Sequence, residues 1–342
     1  MSSPQNFSFL VVGAGSIGKR HLSNIRYLFP SANIDVLCRK ESTGQYLYDL
    51  GANNLFNSIN QAISHGHSAA VLANPSTYHI EYSQILANNG YHLFVEKPLS
   101  NRLDGVNELI RTCENNNLTL MVGYCLRFYP SLKHMVRLIK DGFIGNTLHI
   151  SSEIGQYLPD WRAGTDYRNG VTAQNKLGGG AVLELSHEID IALWIGDKIK
   201  SVIANLAKIS DLDIDVEDCA DISLEFESGA IGNIHLDLLQ RYPVRKTKVI
   251  GTKGTLIWDG IADELLHSMP GVDFQKISVS KITDRNDLYL KSILHFYQCI
   301  QNRQEPIVNG ISAHKVLEVA LAAKVSDHEK RVVYLDNIAN LK

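Results

Sequence analysis

The chain lacks long apolar runs and any excess of charge of one sign. Its 342 residues include 33 Lys and Arg against 36 Asp and Glu, a formal charge of -3, which gives no general attraction to nucleic acid or to an anionic membrane surface. No stretch reaches the ~18 to 20 consecutive apolar residues of a membrane helix. The polar start MSSPQNFS has neither the basic region nor the apolar region of a secretory signal. We therefore expect a cytoplasmic protein with no membrane or nucleic-acid partner.

Cysteine is also scarce, and its pattern excludes two further classes of protein. The five cysteines are odd in number and widely scattered, with no C-x-x-C pair and no nearby His at the spacing of metal ligands. They predict reduced thiols and no metal site, and Cys125 is interpreted as a small buried apolar residue rather than a catalytic thiol. His65 and His67, with no third ligand nearby in the sequence, are assigned to a surface turn.

The length predicts two domains, and the pattern of apolar residues changes between them. The first third alternates short apolar runs with amphipathic segments. Continuous apolar runs such as Phe9 to Val12 and Ala69 to Leu72 predict strands buried on both faces, in a parallel sheet covered by helices. Right-handed crossovers make that sheet doubly wound. We assign residues 1–124 to a Rossmann dinucleotide-binding domain.

The remainder, residues 125–342, is predicted to be an α+β domain that binds substrate and forms oligomer contacts. Period-two alternation over residues 219–227 and 231–238, with a turn at Glu227 to Gly229, predicts two strands of a large, mostly antiparallel open sheet. The polar face of this sheet is either solvated or a wet subunit interface. Helices are expected at Leu288 to Gln301 and Ala313 to His328, and a last strand at Arg331 to Leu335.

A glycine-rich turn follows the first strand. In VVGAGSIGKRH, a G-x-G-x-x-G pattern lies directly after a buried strand and before a helix, the context in which it binds a dinucleotide pyrophosphate rather than forming a merely structural turn. The predicted phosphate-binding residues are Gly13, Gly15, Ser16, Ile17 and Gly18.

The end of the second strand bears on the choice of cofactor. An NAD-binding protein usually has an acidic residue there for the ribose hydroxyls, but this sequence has Cys38 followed by Arg39 and Lys40. With the hydroxyls of Ser42 and Thr43, these two cations could hold a 2′-phosphate. We therefore favour NADP over NAD. The alternative is that Arg39 only stacks on adenine or lies in solvent.

Several motifs in order resemble those of the Gfo/Idh/MocA family of NAD(P)-dependent oxidoreductases, named for glucose-fructose oxidoreductase and inositol dehydrogenase. The resemblance covers nearly the whole chain. Its motifs are GAGSIG near the start, NPSTYH at 74–79, EKP at 96–98, LRFYP at 126–130 and GGGAVLELSHEID at 178–190. The resemblance implies a Rossmann domain followed by a domain whose open sheet often forms the oligomer contact, so we expect a homodimer or homotetramer. It also adds Asn74, Pro75, His79, Glu96 and Lys97 to the expected cofactor-binding residues.

The resemblance further implies the catalytic residues. Lys97, the lysine of EKP, inherits a place beside nicotinamide and substrate, where an ammonium can stabilise a developing alkoxide or relay its proton. His187 is the expected general base, because a neutral imidazole can take a hydroxyl proton. The family commonly has an Asp four residues before this His, whereas here Leu183 takes that position and Glu184 lies three residues before it. One helical face would carry both Glu184 and His187, so Glu184 could replace that acid.

Each of these roles has a plainer alternative. Lys97 could simply pair with a neighbouring acid, and His187 could be a satisfied core histidine. Asp190 is either an acceptor of a hydrogen bond from a ring or backbone donor or an exposed structural acid.

A segment rich in aromatic and charged residues, QYLPDWRAGTDYRNG, is the candidate substrate loop. It offers aromatic ring faces, hydrogen-bonding partners for hydroxyl groups and arginine guanidinium groups, which suit a polyhydroxylated ligand. The alternative is that it is only an ordered surface loop. A basic cluster at Arg241, Arg245, Lys246 and Lys248 is either a solvated turn or part of a site for an acidic or nucleotide sugar. The expected substrate-binding residues are Tyr124, Arg127, Tyr157, Trp161, Arg162, Asp166, Tyr167, Arg168 and His187.

The predicted activity is reversible hydride transfer between nicotinamide C4 and a secondary alcohol of a sugar, sugar acid, nucleotide sugar or cyclitol. One alternative within the same fold is an NAD-dependent glycoside hydrolase with no net redox change. The other is a non-catalytic, cofactor-binding regulator, against which the presence of both Lys97 and His187 argues.

Overall fold

A computed structural model of the chain describes residues 7–38, 44–162 and 164–336. The described residues form two compact units. The first comprises the residues up to Cys125 together with Asp284–His314, and the second comprises Leu126–Thr283 and the residues from Lys315 onward. Within these described ranges, no helix has the length and apolar character needed to cross a membrane.

The first unit contains a parallel sheet in the strand order β3-β2-β1-β4-β5-β6, as the alternating sequence pattern predicts. This is the doubly wound Rossmann order, and it reverses direction between β1 and β4. The strands are Ser8–Val12 (β1), Asn33–Leu37 (β2), Asn54–Phe56 (β3), Ala69–Leu72 (β4), His92–Val95 (β5) and Leu120–Val122 (β6).

Burial explains why these strands are continuously apolar. Phe9 to Val11 and Ala69 to Leu72 have no exposed surface, because helices cover both faces of the sheet. The helices of this unit are Ser16–Leu28 (α1), Gly44–Asp49 (α2), Ile59–His65 (α3), His79–Asn88 (α4), Val106–Asn115 (α5) and Asn286–Asn302 (α9). Although α9 comes late in the sequence, it packs on α1, where the side chains of Asn24 and Asn286 exchange hydrogen bonds.

The second unit contains a larger, mostly antiparallel sheet in the order β14-β13-β12-β11-β7-β10-β9-β8-β15, with one parallel pair, β7 and β10. Its strands are Thr147–Gly155 (β7), Ile199–Ala207 (β8), Cys219–Phe226 (β9), Ile231–Asp237 (β10), Val244–Gly251 (β11), Thr255–Asp259 (β12), Glu264–Ser268 (β13), Gln275–Ile277 (β14) and Val333–Tyr334 (β15). The predicted open antiparallel sheet is confirmed.

The alternation in β9 and β10 separates two faces of this sheet. Ala220, Ile222, Ile234 and Leu236 are at most 1% exposed, whereas the residues between them point to the opposite, polar face. The helices of the second unit include Pro130–Lys140 (α6), Ala181–Glu184 (α7) and His187–Gly196 (α8). Gly310–Glu329 (α10) begins in the residues of the first unit and continues into those of the second.

Two predictions of local structure are wrong. Glu184 and His187 do not share one continuous helix, because a turn at Leu185 and Ser186 separates α7 from α8. His67 does not lie in a surface turn: its side chain is buried, with Nε2 2.9 Å from Asp35 Oδ2. Burial lowers the pKa of His67, while the neighbouring Asp35 acts in the opposite direction.

Candidate functional site

The glycine turn between β1 and α1 has the geometry that its sequence predicts. Gly13 has φ +104°, a left-handed conformation that favours glycine, and its amide donates to the Leu37 carbonyl over 2.9 Å. A Cβ at Gly18 would overlap the Gly13 carbonyl oxygen, so this glycine allows α1 to pack closely on the turn. A Cβ at Gly15 would meet no atom within 4 Å. The three glycines therefore have different roles, and only Gly15 borders open space.

The space beside Gly15 fits the pyrophosphate of a dinucleotide. Ser16 and Ile17 begin α1, a helix of 13 residues, and no side chain caps its N-terminus. The first amides of a helix lack internal acceptors and attract an anion. The first turn also contains no acidic residue that would repel a phosphate. The residues present are therefore suited to hold NAD or NADP by its phosphates.

The ribose end of the predicted cofactor site is only partly described. Cys38 follows β2, and its amide donates to the Phe56 carbonyl. Arg39, Lys40, Ser42 and Thr43, on which the expected preference for NADP depends, lie outside the described residues.

Two loops at the same edge of the parallel sheet are tied together by His79. This imidazole is 1% exposed; its Nε2 lies 2.8 Å from the Asn74 carbonyl oxygen and its Nδ1 lies 3.0 Å from that of Pro98. Burial lowers the pKa of His79, and the two carbonyls partly offset that effect. The ring thus joins the loop after β4, where Pro75 precedes a short 3₁₀ turn, to the loop after β5. His79 was predicted to bind cofactor; the structure shows it connecting two candidate cofactor loops.

The carboxylate of Glu96 is held firmly beside Lys97. Glu96 is 7% exposed, its Oε1 lies 2.6 Å from His21 Nε2, and its Oε2 accepts the Lys97 amide over 3.1 Å. A Cβ at Gly123 would come within about 3.0 Å of the same carboxylate, so a glycine is needed there. These contacts fix the backbone on which the half-buried Lys97 side chain is carried.

His21 and Tyr289 belong to this cluster but were not predicted from the sequence. Tyr289 stacks against the Arg20 guanidinium at 4.6 Å, and the pKa of its phenol is raised by the neighbouring Cys125, by burial and by Glu96. A signal for His21 was present, because it follows Gly18 by three residues on the buried face of α1. No comparable signal marks Tyr289, which is separated from Glu96 by nearly 200 residues.

In the second unit, His187 is the first residue of α8 and is 9% exposed. Glu184 ends α7, on the other side of the turn, and its Oε2 accepts the Thr172 hydroxyl over 3.0 Å. The helical spacing argument for Glu184 therefore does not apply.

Two buried ion pairs hold α8 in place. Arg127 makes a bidentate contact with Asp190 at 2.8 and 2.7 Å, and its guanidinium lies 4.4 Å from the Trp194 ring centroid. Arg245 donates to Glu188 over 2.9 Å, and both side chains are largely buried. Arg127, which the sequence predicts to contact substrate, makes this buried pair in the structure. Asp190 is not an exposed acid, and Arg245 lies within β11 rather than in a solvated turn.

The candidate substrate loop is held both by a contact from outside it and by a contact within it. Arg241 stacks 3.5 Å from the ring centroid of the half-buried Tyr157, and the Trp161 indole donates to the Gln156 carbonyl over 3.0 Å. Arg162 is exposed, whereas Tyr124, in the first unit, is 1% exposed. These contacts hold the loop in place and leave the Arg162 side chain exposed.

The far end of this loop contains an exposed ion pair. Arg168 donates to both carboxylate oxygens of Asp166, and the Tyr167 hydroxyl accepts the Asp213 amide over 3.1 Å. The hydrogen bonds from Arg168 lower the pKa of Asp166. Both members of the pair remain accessible to solvent.

Comparison with known proteins extends these observations to the whole chain. Residues 7–124 match a family described as "Oxidoreductase family, NAD-binding Rossmann fold", and residues 132–257 match the "GFO/IDH/MocA C-terminal domain". A myo-inositol 2-dehydrogenase of Thermotoga maritima is 27% identical, with 96% of this chain and 98% of the relative covered. A scyllo-inositol 2-dehydrogenase (NAD(+)) of Bacillus subtilis is 26% identical, with 95% of each chain covered.

A solved structure supports the same fold. Levoglucosan dehydrogenase, in complex with NADH, superimposes with a TM-score of 0.86 at 18% identity, over 97% of this chain and 99% of the other. Together with the two family matches and the Rossmann order of the first sheet, these findings establish the relationship. The chain belongs to the Gfo/Idh/MocA family and is an NAD(P)-dependent oxidoreductase with an NAD-binding Rossmann domain.

Proposed function

We propose that this enzyme interconverts a secondary alcohol and a ketone on a sugar, sugar acid, nucleotide sugar or cyclitol. The observation that carries the proposal is the arrangement of loops in the first unit. The glycine turn follows β1, the Asn74 loop follows β4 and Lys97 follows β5, and these three strands are neighbours. Ligands of doubly wound sheets bind at the carboxyl ends of the strands where the order reverses. Lys97 is therefore carried on the sheet edge that would bind the cofactor.

The class of substrate is supported by the relatives and by the candidate substrate loop. Two relatives that cover nearly the whole chain are named as inositol 2-dehydrogenases, and a cyclitol hydroxyl is a secondary alcohol. Tyr157 and Trp161 supply ring faces, and Arg162 supplies an exposed cation. Such a combination suits a polyhydroxylated ring, with or without an acidic group.

Lys97 has the role of stabilising the reacting oxygen in this proposal. Its backbone is fixed by the Glu96 contacts, while its ammonium group extends on a four-carbon stem that can reach a ligand. An ammonium at that oxygen favours the alkoxide that develops as the alcohol is oxidised. When bound, the nicotinamide supplies the acceptor for the hydride that leaves the substrate carbon.

His187 has the role of general base. Two ion pairs, formed by Glu188 and Asp190, hold the first turns of α8 and so restrict the histidine at its start. A neutral imidazole can accept the hydroxyl proton during oxidation and return it during reduction. Glu184, bonded to Thr172, is proposed to support this region rather than to replace the family's usual acid.

Paired substitutions test these roles. Lys97→Ala and His187→Ala should each lower kcat by about 10²- to 10⁴-fold, the usual range for loss of a proton-transfer group, with little change in cofactor affinity. Imidazole added to the His187→Ala variant should restore part of the rate, while His134→Ala, elsewhere in the second unit, should behave like the unmodified enzyme. Equal losses of turnover and cofactor binding would mean that Lys97 mainly binds cofactor. Absence of imidazole rescue would contradict the role of His187.

For the cofactor, we propose a preference for NADP. The support is the sequence CRK after β2, which has no acid at the position where an NAD-binding chain usually places one. Calorimetric titration with NADPH and NADH should show tighter binding of NADPH, lost selectively in Arg39→Ala. Equal or better binding of NADH, unchanged in that variant, would show that Arg39 does not read the 2′-phosphate and would leave the proposed chemistry intact.

A further inference from the structure

The polar face of the large sheet carries a cluster of side chains that the proposed reaction does not use. Cys219 and Asp221 lie on β9, and His235 and Asp237 lie on β10. In the antiparallel register Asp221 is directly opposite His235, and Cys219 is directly opposite Asp237. All four side chains therefore point to one face, in two cross-strand pairs separated by the Ala220–Leu236 pair, which points to the other face.

Three of these side chains place ligand atoms close together. The thiol of Cys219, a carboxylate oxygen of Asp221 and a ring nitrogen of His235 all lie within 4.8 Å of one another. Zinc bond lengths of about 2.0 to 2.3 Å imply that tetrahedral ligands lie roughly 3.3 to 3.6 Å apart. Because His235 Nδ1 already lies 2.7 Å from Asp221 Oδ1, chelation needs this pair to separate by about 0.6 Å, and the Cys219 thiol lies within 4.8 Å of the other two ligand atoms. The Asp221 side chain is 67% exposed, so it has room for this shift.

The other ring nitrogen of His235 also has a carboxylate partner, as metal-binding histidines commonly do. His235 Nδ1 lies 2.7 Å from Asp221, and Nε2 lies 3.1 Å from Oδ2 of Asp237, whose side chain is 3% exposed. Asp237 is itself fixed by the amides of Leu239 and Gln240. A buried carboxylate on the second ring nitrogen is the usual support of a metal-binding histidine, because it orients the ring and sets its tautomer.

The charge of the cluster also favours a cation. The carboxylates of Asp221 and Asp237 lie on the same face of the sheet as the Cys219 thiol, and each lies beside the His235 ring. A soft sulfur ligand combined with an imidazole and a carboxylate matches the preferences of zinc rather than those of magnesium or calcium.

We propose that Cys219, Asp221 and His235 bind a zinc ion on the polar face of the sheet, with Asp237 orienting the histidine and a fourth position open to water or another ligand. The sequence alone predicts no metal site, because the two strands are joined by a hairpin and their ligands are not close in the usual motif spacing. The strand register brings them together. The bound ion would cross-link β9 and β10.

Cobalt titration tests the proposal directly. The full chain, first treated with chelator, should bind one equivalent of Co²⁺ with the absorption band of a thiolate-cobalt bond, and Zn²⁺ should displace it. Cys219→Ser should abolish the band, and Asp237→Asn should weaken cobalt affinity by about 10- to 100-fold, as for other residues that support a metal ligand. His149→Asn, on the neighbouring strand of the same sheet face, is the matched control and should bind cobalt normally.

A second measurement uses the unmodified protein and does not depend on the folding of variants. Zn²⁺ should slow alkylation of Cys219 by iodoacetamide at least tenfold, as followed by peptide mass spectrometry, while alkylation of Cys38 should be unaffected. A cobalt band that persists in Cys219→Ser, the absence of any thiolate-cobalt band, or unchanged alkylation of Cys219 in the presence of zinc would each overturn the proposal.

Discussion

The two units hold their functional residues in place in different ways. The first relies mainly on backbone, with glycines that admit close approach, a helix N-terminus and carbonyls that hold the His79 ring, although Glu96 also pairs with His21. The second relies on charged side chains that pair across long stretches of sequence, such as Arg127 with Asp190. A backbone arrangement tolerates changes of charge but not of volume, whereas a buried ion pair tolerates small changes of volume but not of charge. The two units should therefore respond oppositely to the same kinds of substitution.

The largest expected loss of stability follows from removing a buried charge in the second unit. Asp190→Asn preserves volume but leaves the Arg127 guanidinium buried, with its side chain only 9% exposed, beside a neutral amide. Breaking a buried pair from one side typically costs about 3 to 5 kcal/mol. All three tryptophans lie in the second unit, so urea unfolding followed by tryptophan fluorescence should report this loss. Asp166→Asn, which breaks an exposed pair, is the control and should leave the midpoint unchanged. If Asp190→Asn lowered the free energy of unfolding by less than about 1 kcal/mol, the contrast between the two units would be contradicted.

A loss of stability of intermediate size is expected when a methyl group is added within the glycine turn. Gly18→Ala forces α1 away from the Gly13 carbonyl, and overpacking of this kind usually costs about 1 to 3 kcal/mol. Gly15→Ala is the matched variant: its Cβ meets no protein atom, so the free protein should keep its stability while its affinity for NAD(P)H falls. Thermal unfolding and cofactor titration of both variants measure the difference. Equal destabilisation by the two alanines would contradict the separate roles of these glycines.

The smallest expected effect is a pH dependence in the first unit. Burial lowers the pKa of His79, so below its unfolded pKa of about 6.5 the unfolded chain binds a proton that the folded chain does not. Stability should therefore decline on acidification, by at most about 1.4 kcal/mol per pH unit for this one group. His79→Asn should reduce the slope without abolishing it, since His67 and His92 also have pKa values lowered by burial. Hydrogen exchange of peptides covering β4 and β5 between pH 5 and 7 measures the slope. A steeper acid response in the variant would contradict the assignment.

The same contrast explains which features could be predicted from the sequence. The parallel sheet follows from apolar runs, and the glycine turn follows from local spacing, because both are encoded by residues near one another in the chain. Alternation in β9 correctly predicts its buried face. Backbone features of this kind leave a local signature.

Features that depend on distant side chains could not be predicted in this way. His21 meets Glu96 across 75 residues, and Arg127 meets Asp190 across 63, so the local sequence around each residue does not identify its partner. The turn at Leu185 and Ser186 also escaped prediction, since neither residue is a strong helix breaker and tertiary packing decides the break. The sequence therefore predicts Arg127 as a substrate ligand but does not predict its buried pair with Asp190.

The proposed reaction transfers a hydride from a secondary carbon of a sugar or cyclitol to the nicotinamide ring. Its decisive test uses a panel of cyclitols and sugars deuterated at their carbinol carbons, incubated with NADP⁺ or NAD⁺, with the reduced cofactor analysed by mass spectrometry. We expect one deuterium at nicotinamide C4 in stoichiometric amount with the unmodified enzyme, and almost none with Lys97→Ala. Cleavage of a glycosidic bond with no net reduction of the cofactor, or binding of cofactor without any turnover across the panel, would contradict the proposed hydride transfer.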